Sequence, residues 1–155
     1  MRVLSALCVV AVCVSAANIP FKSCATGPTK ATLNSFSMTP SPPVEGTNTT
    51  ISYAGTLNEA VTGGQYSLKI SLFGVNVVAH TGSVCANSVI PLPIPKGLNL
   101  ALEGLTCPSG PGNFNLEAIM TTATIAPPSG TFDITFDAKD QNGGELFCAS
   151  ATLQL

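Results

Sequence analysis

Apolar and polar residues alternate along most of this 155-residue chain, Gly- and Pro-rich turns punctuate the alternation, and four cysteines follow an apolar leader. Together these predict an all-β sandwich of seven to eight short strands braced by two disulfides.

The strands follow in order. Phe36 and Met38 flank Ser37, and Ile51 and Tyr53 flank Ser52. Tyr66, Leu68, Ile70 and Leu72 alternate with Ser67, Lys69 and Ser71, and Leu98, Leu100 and Leu102 with Asn99 and Ala101. Phe114, Leu116 and Ala118 alternate with Asn115 and Glu117, and Phe132, Ile134 and Phe136 with Asp133, Thr135 and Asp137. In the last run Phe147, Ala149, Ala151 and Leu153 alternate with Cys148, Ser150 and Thr152. A period of two places one set on a buried sheet face and the other in water.

Turn chemistry separates the runs. Pro40 to Pro43 closes the first, Thr62-Gly63-Gly64 opens the third, and Pro127-Pro128-Ser129-Gly130 precedes the sixth. Asp140-Gln141-Asn142-Gly143-Gly144 joins the last two strands as a hairpin connection. Proline at every second position of Ile90-Pro91-Leu92-Pro93-Ile94-Pro95 removes ladder donors, so this stretch is expected to be extended and unpaired. It reads either as a loop covering the core or as a lip over a ligand entrance, with Leu92 leaning onto the domain.

The N-terminus has the layout of a secretory signal. Arg2 is followed by an apolar run from Val3 to Val14 broken only by Ser5, then by Ser15, Ala16 and Ala17, which predicts cleavage after Ala16 or Ala17. The alternative, a membrane anchor, needs ~20 apolar residues. Residues 1–17 are therefore expected to be removed, leaving a soluble domain over 18–155. Cys8 and Cys13 depart with the signal, leaving Cys24, Cys85, Cys107 and Cys148. Four cysteines allow three connectivities, among which spacing does not choose. Zinc is disfavoured by the lack of a C-x-x-C pair and by a single histidine, so no metal site and no cofactor is expected.

Charge and chemistry narrow the function. Loss of Arg2 leaves five lysines against eight acidic residues, with no basic patch for nucleic acid. Charged residues make up only 9% of the chain, so much apolar surface must be hidden, in a core or around a ligand. His80 has no nucleophile motif beside it and reads as a surface or turn histidine; no catalytic residue is predicted. Asp133 and Asp137 share the solvent parity of their strand, and Asp140-Gln141-Asn142-Gly143 lacks the spacing of a calcium loop. Asn48-Thr49-Thr50 is a glycosylation sequon whose Asn48 has solvent parity.

One constellation is more specific. Phe21-Lys22-Ser23-Cys24, Ser41-Pro42-Pro43-Val44-Glu45-Gly46, Thr49-Thr50-Ile51-Ser52 with Gly55-Thr56-Leu57, Gly82-Ser83-Val84-Cys85, Gly104-Leu105-Thr106-Cys107-Pro108 and Glu145-Leu146-Phe147-Cys148 follow one another in this order. In order and spacing the chain resembles the ML lipid-recognition domains. That family includes phosphatidylglycerol/phosphatidylinositol transfer proteins and the Niemann-Pick type C cholesterol carrier, and the phospholipid-transfer branch is the nearer match. The resemblance implies an immunoglobulin-like sandwich of two antiparallel sheets that part to hold a lipid, with Cys24 paired to Cys148 and Cys85 to Cys107. In the chain-entropy model the longer loop contributes up to ~5 kcal/mol and the shorter ~3.

The expected function is lipid binding and transfer between membranes by a secreted or endosomal, lysosomal or vacuolar monomer. Its partners would be a phospholipid or sterol and, transiently, a membrane surface. Candidate lipid-facing residues are Phe36, Met38, Ile51, Tyr53, Leu68, Ile70, Leu72, Leu92, Leu100, Phe114, Leu116, Phe132, Ile134, Phe136 and Phe147. The absence of Trp, and the inward parity of Gly55, Ala118, Ala149 and Ala151, favour a cavity. The rival reading is an immunoglobulin-like interaction module with a filled core. A third, a hydrolase, would depend on His80.

Overall fold

The computed structural model describes residues 15–93, 97–121 and 129–154. The region before residue 15, Ile94, Pro95 and the Pro127-Pro128 turn lie outside them. Eleven strands are seen among the described residues: β1 (Ala17–Asn18), β2 (Phe21–Ser23), β3 (Ala31–Thr39), β4 (Thr49–Leu57), β5 (Gly64–Leu72), β6 (Val75–Ser83), β7 (Ser88–Leu92), β8 (Leu98–Leu102), β9 (Gly112–Thr121), β10 (Thr131–Asp140) and β11 (Glu145–Gln154). They form two antiparallel sheets, ordered β1-β3-β4-β9-β8-β7 and β2-β11-β10-β5-β6.

This exceeds the expected seven to eight strands. The additional strands carry little alternation of their own. β1 and β2 are two and three residues long. β6 is an edge strand in which Val78, His80 and Gly82 lie opposite Ile70, Leu68 and Tyr66, so only one of the three is aliphatic. His80 is thus a half-buried strand residue rather than a turn histidine, with its ring 6.0 Å from that of Tyr66. β7 corrects the reading of the proline-rich stretch: Ile90, Pro91 and Leu92 pair with Leu100, Asn99 and Leu98. An edge strand needs ladder donors on one side only, which is where proline is tolerated.

The inner faces come from the predicted parity. Ile51 of β4 stands between Met38 and Ala118, and Ala118 is followed by Leu102 of β8. On the other sheet Ile134 stands between Ile70 and Ala151, and Phe136 between Leu68 and Ala149. Thus three alanines occupy inward positions where a larger side chain would fill the space between the sheets.

Hydrogen bonds, an ion pair and a disulfide between the sheets concentrate at one end, the tied end. Toward the other, the chain itself passes from one sheet to the other between β1, beside Met38, and β2, beside Ala151. At the tied end the starts of β3, β5, β9 and β11 meet the ends of β4, β6, β8 and β10. Lys30, just before β3, donates to the Asp140 carboxylate at 2.7 Å and pairs with Glu59 at 3.1 Å. The Lys30 amide donates to the Glu145 carbonyl, the Leu105 amide to the Val84 carbonyl, and Val61 forms a bridge with Ser109. Cys85, after β6, is bonded to Cys107, after β8, with Cα atoms 5.5 Å apart. Cys24 is bonded to Cys148, with Cα atoms 5.0 Å apart, and staples β2 to β11 within one sheet. These are the pairs that the resemblance implies. Side chains at the tied end are sealed, with Leu57, Val61 and Leu146 all buried.

Asp140 explains the hairpin that follows it. Its carboxylate accepts from the amides of Asn142 and Gly144 as well as from Lys30, which closes the turn. The Lys30 hydrogen bond holds the Asp140 carboxyl below the usual carboxylate range, against the opposing effect of burial, and the Gly144 and Asn142 amides assist. Asp140 in turn raises the Lys30 ammonium above its ordinary value, with Glu59 adding to it. A lowered carboxyl pKa stabilises the fold fully above the unfolded value of ~3.9 and is lost as pH falls through the depressed folded value. The raised Lys30 contributes fully below ~10.4 and is lost as pH rises through its folded value. Asp140→Asn is therefore expected to lower the melting temperature at neutral pH and to flatten the acid limb of the stability profile, checked by thermal unfolding from pH ~2 to ~7. A variant with an unaltered acid limb would rule the pair out as the source.

Candidate functional site: an apolar cavity between the sheets

Toward the untied end the sheets enclose a cavity of about 90 Å³. Its walls come from Phe21 of β2, Leu33 and Phe36 of β3, Ile51 and Tyr53 of β4, Leu68 and Ile70 of β5, Leu100 and Leu102 of β8 and Ala118 of β9, with Ile134 and Phe136 of β10 and Phe147, Ala149, Ser150 and Ala151 of β11. Apart from Tyr53 and Ser150, every described residue contacting it is apolar. The Tyr53 hydroxyl donates to the Glu103 carbonyl at 3.1 Å and so is not free to bind a headgroup. Burial pushes that hydroxyl above the ordinary phenol range, and the nearby Glu103 charge adds to the shift. Among the described residues, the cavity wall offers neither a nucleophile paired with a base nor a set of metal ligands.

A second cavity, about 30 Å³, lies toward the tied end among Leu57, Tyr66, Val84, Leu105, Phe114, Leu116, Ala138 and Leu146. Aromatic rings stand between the two. Phe136 stacks on Tyr66 at 5.2 Å and on Phe147 at 5.7 Å, and Phe147 faces Phe114 at 6.4 Å. Offset stacking of this kind adds about 0.5–1.5 kcal/mol per pair beyond area burial.

Of the predicted lipid-facing residues, Phe36, Ile51, Tyr53, Leu68, Ile70, Leu100, Ile134, Phe136 and Phe147 line the larger cavity. Phe114 and Leu116 line the smaller one. Met38, Leu72, Leu92 and Phe132 line neither. Leu72 and Phe132 pair with each other at the untied end, Leu92 sits in edge strand β7, and Met38 is buried at the end of its row. Gly55 contributes no free space, because a Cβ there would lie 2.6 Å from the Phe114 ring, which occupies that room. Phe21, Leu33 and Leu102 are wall residues that were not singled out. Leu102 has the parity that finds it, whereas a bulge between Leu33 and Ser35 breaks the alternation that would have identified Leu33.

Asn48 is exposed just before β4. Asp137, Glu145 and Cys148 approach one another, but the Cys148 sulfur is already bonded to Cys24.

Comparison with known proteins agrees with this architecture. The family model for the ML domain matches residues 18–155. The chain belongs to the ML-domain family. It is 27% identical over 135 residues to the phosphatidylglycerol/phosphatidylinositol transfer protein of Mycosarcoma maydis, an alignment covering 86% of this chain and 64% of that one. It is 28% identical over 115 residues to the protein of the same description from Aspergillus oryzae, covering 74% and 58%. The chain thus spans less than two thirds of the length of either. Among solved structures, a Niemann-Pick type C2 protein from the Japanese carpenter ant superposes with a TM-score of 0.57 at 13% identity, covering 87% of this chain and 98% of that one. Chicken MD-1 complexed with lipid IVa gives 0.51, also at 13%, covering 91% and 97%. These two likenesses show a shared ML-domain fold.

Filling the gap offers a direct test. Ala118→Leu is expected to keep stability within about 1.5 kcal/mol, since the new methylenes enter free space, while weakening lipid uptake at least about tenfold. The outward-facing Ala101→Leu on the neighbouring strand should leave uptake unchanged. Fluorescent-lipid titration with thermal unfolding checks both, and undiminished uptake by Ala118→Leu would show that the cavity is not where lipid goes.

Proposed function

We propose that this protein is an exported lipid carrier that holds a phospholipid or sterol between its two sheets and moves it between membranes as a monomer. The observation that carries this reading is the apolar cavity itself: three inward alanines leave a gap that, Tyr53 and Ser150 apart, only apolar residues line. The same observation disfavours a filled-core interaction module. Export rests on the leader over residues 1–17 and on the two disulfides, which suit an extracellular or organelle-lumen setting. Exposed Asn48 would carry the glycan.

The chemistry is shielding rather than bond making. Each buried CH₂ gains roughly 0.8 kcal/mol against water, but a lipid in a bilayer already has that gain. Net extraction is then near neutral, as a shuttle requires. Pockets for ligands of drug size run ~300–1,000 Å³, so the sheets must part further to seat an acyl chain. The concentration of inter-sheet ties at one end directs that opening to the other.

The untied end also presents an apolar tip. Phe73, between β5 and β6, is 72% exposed with φ of 50°, and Val75 beside it is 65% exposed. Positive φ is an outlier for a bulky residue, so something other than local backbone preference holds an aromatic ring there. Interfacial insertion of that ring is the proposed membrane contact.

Two experiments follow. Native mass spectrometry of the secreted protein, with extraction of bound lipid, should find a phospholipid or sterol, and N-terminal sequencing should begin at Ala17 or Asn18. A preparation that carries no lipid and takes up none would overturn the carrier reading. Phe73→Ser should cut transfer between vesicles about tenfold at unchanged binding affinity, because burying a Phe side chain contributes ~1.5–3 kcal/mol. An unchanged transfer rate would place the membrane contact elsewhere.

A further inference from the structure

The two cavities share four wall residues: Tyr53, Leu102, Phe136 and Phe147. The space between the sheets is therefore one slot divided by a partition, and the partition is mainly aromatic. Phe136 and Phe147 stack at 5.7 Å with only 15° between their planes, and Tyr53 lies against Phe136 at 6.4 Å. Tyr53 is fixed by its hydrogen bond to the Glu103 carbonyl. Phe147 has no polar anchor. It faces Phe114 on its far side, within the smaller cavity.

We infer that Phe147, backed by Phe136, is the specificity-determining residue that stops the apolar end of the ligand and sets the longest chain the slot accepts. This inference rests on the carrier reading. A chain entering from the untied end runs along Ile51, Ile134 and the three alanines until it meets the Phe136–Phe147 pair. Methylenes beyond that point stay at the mouth, in water, and add nothing to affinity. The smaller cavity behind the rings is unused while the partition stands. It becomes the continuation of the slot once the ring is removed.

The test uses single-chain phosphatidylglycerols of increasing saturated chain length, titrated below their aggregation threshold by calorimetry. For the wild type, affinity should rise about fourfold per added methylene, the ratio expected from full burial, and then level off at a limiting length. Phe147→Ala should move the plateau to longer chains by joining the two cavities. Phe147→Leu, which keeps more packing, should move it less and in the same direction. The position of the plateau is the decisive readout, because a merely structural loss would lower affinity for all lengths alike. Wild-type protein that binds no member of the series overturns the carrier reading. Wild-type protein that binds with a plateau unmoved in both variants overturns the partition alone.

Discussion

Two β-sheets packed face to face need their inner side chains to fill the space between them, and here that filling is closer at one end, where about 30 Å³ stays open against about 90 Å³ toward the other. The Lys30–Asp140 pair, the Val61–Ser109 bridge, the Leu105–Val84 hydrogen bond and the Cys85–Cys107 bond all lie at that end. Leu57, Val61 and Leu146 are sealed beside them. Toward the other end Ile51, Ile70, Ile134 and Phe136 face one another across alanines and stay only half-buried. An interior normally packs like an organic crystal, so a gap lined with isoleucine and phenylalanine forfeits dispersion contacts. The ties allow the fold to keep that gap.

From this asymmetry the rest follows. Ladder pairing along the strands sets the register of both sheets, and through the register which side chains look inward. The untied end holds the larger cavity and the exposed Phe73 tip. The aromatic partition lies at the junction of the two regimes, where large rings can still interdigitate. The phosphatidylglycerol/phosphatidylinositol transfer proteins of Mycosarcoma maydis and Aspergillus oryzae are longer than this chain, which covers 64% and 58% of them.

Much of this was legible in the residues. Period-two alternation placed Leu68, Ile134, Phe136 and Phe147 on inner faces, and the alanines at 118, 149 and 151 announced the gap. What escaped were strands in which only one inward position is aliphatic, as in β6 with Val78, and strands too short to show a period, as in β1 and β2. Pairing along edge strand β7 was hidden because proline reads as a ladder breaker, although only one side of an edge is used. The division into two cavities was not legible at all. It depends on where ring planes meet across the sandwich, as with Phe114 filling the space above Gly55, and one-dimensional parity contains no such information.

The central claim is that lipid occupies the space between the sheets. Alanine-methyl NMR tests it most directly, since Ala118, Ala149 and Ala151 line the larger cavity while Ala31 is buried outside both cavity walls. On titration with single-chain phosphatidylglycerol, the account predicts large shifts at the methyls of Ala118, Ala149 and Ala151 and little change at Ala31. Saturable binding that leaves those three methyls unmoved would contradict it.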